Sequence, residues 1–171
     1  MSEMREGMIP TITKEEIAEM VRELAREIER DYEGKELVMI CPLKGSVLFM
    51  ADLCREIKRS QVIDFVQVTS PKGESCRILR DITVNIYKKH VLIVEEIIDA
   101  GRTLSFLHAR LAASHPASLK IVALLDKPAR RELPIQPDYV GRTIDDRFVI
   151  GYGMDSDEKG RNYRDIYNFT Q

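Results

Sequence analysis

The residues best equipped for chemistry lie in one short stretch, residues 91–104 (VLIVEEIIDAGRTL). An apolar run delivers two adjacent carboxylates, Glu95 and Glu96, and then a third, Asp99. The small-residue turn Ala100-Gly101 follows, with Arg102-Thr103 at a helix start. Unsatisfied amides at a helix N-terminus attract phosphate, Gly101 lets the backbone approach closely, and the Thr103 hydroxyl adds a donor. The turn is therefore a candidate phosphate cradle. Acids beside an anion need a reason: they could accept hydrogen bonds from sugar hydroxyls, bind Mg2+, or move a proton, and a phosphorylated sugar would use all three. Side chains alternate along a strand, so Glu95 and Glu96 cannot both face one ligand unless the chain leaves regular strand geometry. In the competing reading the acids merely end a strand and cap a helix, which leaves three charges at a buried strand end without partners, a costly arrangement.

Other phosphate sites lack their residues. No G-x-x-x-x-G-K-[ST] loop occurs, and Gly151-x-Gly153 has neither a third glycine nor a following helix, which disfavours both nucleoside-triphosphate hydrolysis and a dinucleotide site.

The surrounding pattern supplies elements to hold such a site. Thr13-Lys14-Glu15-Glu16 has the form of a capping box, with Ile17, Met20, Val21, Leu24 and Ile28 at helical spacing and Gly34 as a stop. Residues 14–36 carry nine acids and five bases, read as a solvated helix face. Residues 37–41 and 90–94 are short continuous apolar runs, the form of strands buried on both faces. Residues 47–57 return to helical period, and a further helix starts near Thr103 with Leu104, Leu107 and Leu111 on one face. Residues 62–69, 82–86, 119–125, 139–144 and 148–152 read as strands, and residues 70–77 (SPKGESCR) as a loop. Residues 71–90 hold five Lys/Arg against two acids, which suits a loop over phosphates or an ordinary solvated surface. Strands alternating with helices predict an α/β domain with a mainly parallel twisted sheet flanked by helices, binding ligand beyond the strand carboxyl ends.

Composition narrows the classes. A chain of 171 residues fits one domain with an adequate core. With 26 Lys+Arg against 28 Asp+Glu, the net charge of -2 argues against a nucleic-acid partner but not against a small anion. No apolar run approaches the about 18 residues that span a bilayer, and MSEMREGMIP lacks a signal peptide's apolar core, so no membrane partner and a cytoplasmic location are expected. Cys41, Cys54 and Cys76, spaced 13 and 22 apart, suit neither a disulfide framework nor a zinc site.

The stretch VLIVEEIIDAGRTL resembles the phosphoribosyl pyrophosphate signature of the type I phosphoribosyltransferases, within them the hypoxanthine-guanine enzymes. Further segments match that family in order. They are Pro42-Leu43-Lys44-Gly45-Ser46, Leu125-Asp126-Lys127-Pro128, Pro137-Asp138-Tyr139-Val140-Gly141, residues 146–155 (DRFVIGYGMD), and Glu158-Lys159 with Arg161-Asn162. The resemblance implies a single domain, with a core at about residues 35–140 and a small hood from the N-terminal segment and about residues 141–171. It implies Mg2+-dependent transfer of phosphoribosyl from phosphoribosyl pyrophosphate to a 6-oxopurine, by a homodimer or homotetramer.

Carried over by residue, Glu95 and Glu96 would meet the ribose hydroxyls and metal, and Asp99 would border the phosphoribosyl group and handle the purine imidazole proton. Ala100, Gly101, Arg102 and Thr103 would hold the 5'-phosphate. Lys44, Gly45 and Arg161 would face pyrophosphate, with the Leu43-Lys44 peptide cis. Ile97, Lys127, Phe148, Val149 and Asp155 would line the purine site, and Asp155 would also bind a second metal. Lys127 offers only donors, which suits a 6-oxo acceptor over a 6-amino group; taken alone it reads as a surface lysine, as Phe148 reads as a core aromatic. Three departures stand out: Glu96 replaces the usual Asp, Ala100 replaces Thr, and the loop after Thr69 is shorter, without Ser-Tyr. A nucleotide- or phosphoribosyl-pyrophosphate-binding regulator of the same fold and a transferase with xanthine preference remain open alternatives.

Overall fold

The computed structural model describes residues 9–70 and 75–168. Its strands are β1 (Pro10–Ile12), β2 (Leu37–Pro42), β3 (Gln61–Thr69), β4 (Arg77–Arg80), β5 (His90–Ile98), β6 (Ser118–Asp126), β7 (Tyr139–Thr143), β8 (Val149–Ile150) and β9 (Ile166–Asn168). The helices are α1 (Lys14–Asp31), α2 (Val47–Glu56) and α3 (Arg102–Ala112), with a 3-10 turn at Pro128–Arg130. Six strands form the main sheet in the order β4-β3-β2-β5-β6-β7, parallel except for the β3–β4 pair.

The continuous apolar runs form the centre because both sheet faces are covered. Leu37, Met39, Leu92, Val94, Val122 and Leu124 join the core under α1 and α2. Their alternates Val38, Ile40, Val91, Ile93, Ile121 and Ala123 pack with Leu104, Leu107 and Leu111 of α3 on the other face. The Thr13 capping box forms as expected: Glu16 N–H donates to Thr13 Oγ1 while Thr13 N–H donates to Glu16 Oε2 at 2.8 Å. A second, antiparallel sheet, β1-β9-β8, ties the N-terminal strand to the C-terminal segment. Among the described residues no helix is long and apolar enough to cross a membrane, and all three cysteines are unpaired.

Three sequence expectations need correction. Residues 82–86 alternate but form no strand. Their amides are claimed by the buried Asp64 of β3, whose carboxylate accepts from Thr83 N–H, Val84 N–H (3.0 Å) and Thr83 Oγ1 (3.1 Å). Ile82, Val84 and Ile86 still point into the core beneath α3, so the pattern reflects packing without a ladder. The strand in this region is β4, antiparallel to β3, and it begins at Arg77, which the loop reading had included; residues 71–74 of that loop lie outside the described residues. Finally, β5 continues past Val94 to Ile98, because β6 stays paired with it through Asp126 after its pairing with β2 ends at Ile93.

The bonds to Asp64, including one from Phe65 N–H at 2.8 Å, outweigh the upward push of burial and hold its carboxyl below the usual value. That stabilisation is present above the unfolded value of about 3.9 and disappears as pH falls through the lower folded value. We expect Asp64→Asn, whose amide turns donors toward donors, to cost about 2 kcal/mol at neutral pH. In thermal unfolding this corresponds to a midpoint about 4–8 °C lower. The gap should narrow as pH falls to about 3; equal midpoints at pH 7 would contradict this account.

Candidate active site

The site begins where β5 outlasts β2. After Pro42 the chain turns away through a cis Leu43-Lys44 peptide, as the resemblance implied, with Leu43 N–H donating to Val66 O at 2.8 Å. The turn delivers Ser46, fully buried, to the end of β5. Its hydroxyl lies 3.0 Å from Glu95 Oε2 and also contacts the Glu96 carboxylate. Neighbours on a strand normally point apart. Here no β2 residue pairs with β5 beyond Ile93, and both long side chains reach the same hydroxyl.

One hydroxyl has one proton to give, so two carboxylates meeting it repel unless a proton or a cation intervenes. Burial, and then the charge of Glu96, push the Glu95 carboxyl well above the usual carboxylate range. Burial likewise raises Glu96, against the opposing bond from Ser46.

Two glycines make this packing possible. A Cβ on Gly45 would lie 1.9 Å from Glu96 Oε1, so a side chain there would displace the carboxylate. Gly153, at φ 99°, sits so close to the same loop that a Cβ would come 1.9 Å from Gly45 O. Beyond it, Arg161 donates to Gly153 O at 2.8 Å and pairs with Asp155 at 2.9 Å. Glu158 links Arg161 (3.3 Å) to Lys44 Nζ (2.8 Å). These pairs hold Glu158 below its usual range, its bond to Lys44 contributing most.

At the other end, α3 starts at Arg102, one residue before the expected start near Thr103, with Gly101 as its left-handed cap at φ 84°. Asp99 Oδ1 accepts from Arg130 Nε at 3.0 Å, and Arg131 donates to Asp99 O at 2.7 Å while pairing with the buried Asp126. Arg102 is tied to Glu132. Of the residues assigned from sequence, Lys44, Gly45, Glu95, Glu96, Ile97, Asp99, Ala100, Gly101, Arg102, Thr103, Asp155 and Arg161 line one cavity of about 590 Å³.

Lys127, Phe148 and Val149 do not line that cavity. Lys127 follows β6, its N–H donating to Ile98 O at 3.0 Å. Contrary to its reading in isolation it is 5% exposed, with no side-chain hydrogen bond or ion pair formed among the described residues. Phe148 is nearly half exposed rather than core, and Val149 is buried. Among the described residues no three His, Cys, Asp or Glu side chains converge as a metal cluster: Glu95 and Glu96 meet at Ser46, whereas Asp155 is engaged by Arg161. Sequence reasoning gave no role to Ser46, Arg130 or Arg131. Their partners lie 49, 31 and 32 residues away, beyond any local spacing rule.

Residues 11–157 match the family model of the phosphoribosyl transferase domain. The chain belongs to the phosphoribosyltransferase family. This phosphoribosyltransferase is 42% identical over 156 residues to a hypoxanthine-guanine phosphoribosyltransferase of Staphylococcus aureus, covering 88% of this chain and 87% of the relative. It is 41% identical to the bifunctional protein TilS/HprT of Listeria innocua, where the match covers 88% of this chain but only 24% of that protein's length. Among solved structures, a hypoxanthine-guanine phosphoribosyltransferase of Bacillus anthracis superposes with a TM-score of 0.92 at 44% identity, covering 95% of this chain and 98% of that one. The hypoxanthine phosphoribosyltransferase of Trypanosoma cruzi gives 0.88 at 41%, covering 93% and 94%. The α/β architecture with a mostly parallel sheet is that of these proteins.

The two glycines of the phosphoribosyltransferase site should respond differently to alanine. At Gly153 the added methyl meets backbone at a positive φ, so a loss of about 2–4 kcal/mol is expected. At Gly45 it meets the end of a flexible side chain, so the loss should stay near about 1 kcal/mol. Denaturant titration of both variants checks the order, and a larger loss for Gly45→Ala would contradict the packing described.

Proposed function

We propose that this phosphoribosyltransferase works in purine salvage, joining the 5-phosphoribosyl group of phosphoribosyl pyrophosphate to hypoxanthine or guanine and releasing pyrophosphate. The observation that carries this reading is the single cavity in which a carboxylate pair, a glycine-capped helix start and two cations meet. The names of the relatives support the choice of purine.

In this reading the amides at residues 100–103 and the Thr103 hydroxyl hold the 5'-phosphate at the start of α3. Lys44 and Arg161 receive the pyrophosphate, which displaces Glu158 from between them. A purine imidazole nitrogen forms the new bond to the ribose anomeric carbon as the bond from that carbon to pyrophosphate breaks, its electron pair leaving with the pyrophosphate. Asp99 takes the imidazole proton. Lys127, buried beside the end of β5, donates to the 6-oxo group; Phe148 stacks on the base while Ile97 and the Val149 backbone border it.

The carboxylate pair at Ser46 fits a divalent cation, because positive charge would relieve two buried acids that share one hydroxyl. We assign Mg2+ there, with Glu95 and Glu96 toward it and the ribose hydroxyls, and Asp155 toward a second ion. Bound Mg2+ would neutralise the departing pyrophosphate. We place the enzyme in the cytoplasm as a homodimer or homotetramer.

Incubation with phosphoribosyl pyrophosphate, Mg2+ and hypoxanthine, guanine, xanthine or adenine separately should yield nucleotide with hypoxanthine or guanine. No product with any base, alongside measurable nucleotide binding, would defeat the transferase reading. Asp99→Asn should lower the rate at least about tenfold, and turnover equal to wild type would remove Asp99 from proton handling.

A further inference from the structure

The turn at residues 151–154 holds a backbone that the proposed chemistry does not by itself explain. Gly151, Tyr152 and Gly153 have φ angles of 106°, 48° and 99° in succession. Glycine adopts such angles freely, whereas a bulky aromatic residue there is an outlier that its surroundings must hold in place. Tyr152 is held at both ends. Its N–H donates to Tyr163 O at 2.9 Å, and its buried phenol donates to Asp52 Oδ2 on α2 at 2.6 Å. Burial, reinforced by Asp52, keeps that phenol protonated far above its ordinary range.

The two elements joined by this bond carry opposite sides of the cation pair. α2 begins at Val47, directly after Lys44, Gly45 and Ser46. The turn carries Gly153, whose N–H donates to Arg161 O at 2.9 Å and whose carbonyl accepts from the Arg161 guanidinium at 2.8 Å. It leads directly into Asp155, and Gly153 rests against the backbone of Gly45. A ring alone would fill the space beside α2; the hydroxyl adds a directed bond from the turn to the helix.

We propose that Tyr152 and Asp52 are positioning residues of the pyrophosphate subsite, their buried phenol–carboxylate bond setting the separation of Lys44 and Gly45 from Arg161 and Asp155. This rests on the transferase reading and deepens it. Neither residue touches substrate; they act through the loop and the turn they join.

The test compares wild type, Tyr152→Phe and Asp52→Asn. Asp52 is partly exposed, so the phenylalanine variant strands no buried carboxylate and should fold. Steady-state kinetics with each substrate varied are paired with calorimetric titration by magnesium pyrophosphate without purine. Tyr152→Phe should raise the KM for phosphoribosyl pyrophosphate and the Kd for pyrophosphate about five- to tenfold, the effect of one charge-assisted hydrogen bond. The KM for hypoxanthine should stay within about twofold, and Asp52→Asn, whose amide oxygen still accepts from the phenol, should keep pyrophosphate affinity within about twofold of wild type. Unchanged pyrophosphate affinity in Tyr152→Phe overturns the proposal. So does a parallel rise in both KM values, the mark of general loosening, or a loss in Asp52→Asn as large as in Tyr152→Phe. Wild type that forms no nucleotide would defeat the transferase reading alone, because the pyrophosphate titration still judges the bond.

Discussion

β5 is longer than its neighbour. It pairs with β2 only to Ile93 yet stays hydrogen-bonded to β6 as far as Ile98, and the cavity occupies the space that β2 vacates. A strand supported on one side keeps its direction while freeing its other edge, so Glu95, Glu96 and Ile97 are mostly but not fully buried, at the end of a fully buried run. Everything else at the site answers that gap. The loop from β2 brings Ser46 to the two carboxylates, α3 starts just beyond the strand, and residues 151–161 close the side opposite β6.

Charge in this gap is stored as pairs. Lys44 and Arg161 are held by Glu158, Arg161 also by Asp155, and Asp99 by Arg130. The pairs of Lys44 with Glu158 and Arg130 with Asp99 are open to water, where such contacts contribute about 0–1 kcal/mol, so an anionic ligand can exchange into them at small cost. The Asp126–Arg131 pair is different in kind. Asp126 is buried and the Arg131 side chain nearly so, and removing one would leave a charge stranded beneath the Asp99 turn. The chain's net charge of -2 conceals this arrangement, since nearly every cation around the cavity has an acid within reach.

Local periodicity made much of the fold legible. Buried strands, the Thr13 cap and the leucine face of α3 each announce themselves within a few residues, because burial imposes a period of two or near four. The glycine-capped start of α3 was legible for the same reason, its glycine and helix start being adjacent. Residues 82–86 misled because the same alternation arises whenever a chain lays apolar groups on a core, whether or not its amides find a strand; here they found Asp64. The end of β5 was misplaced because two glutamates look like the end of a buried strand, and only the pairing with β6 shows otherwise. Lys127 could not be seen as buried, since the strand end it is bonded to, at Ile98, lies far off in sequence.

The small sheet has a consequence for the order in which the molecule becomes itself. β9, the last strand described, pairs with both β1 and β8, so the small sheet beside Asp155 and Arg161 closes only when residues 166–168 arrive. During synthesis the main sheet and the turn at the start of α3 can form while the side carrying Asp155 and Arg161 is still missing. A ligand that needs both sides cannot stabilise such a nascent chain, because it binds only the completed arrangement. A nascent chain at that stage therefore rests on its apolar core and on the ladders of the main sheet, with no help from such a ligand.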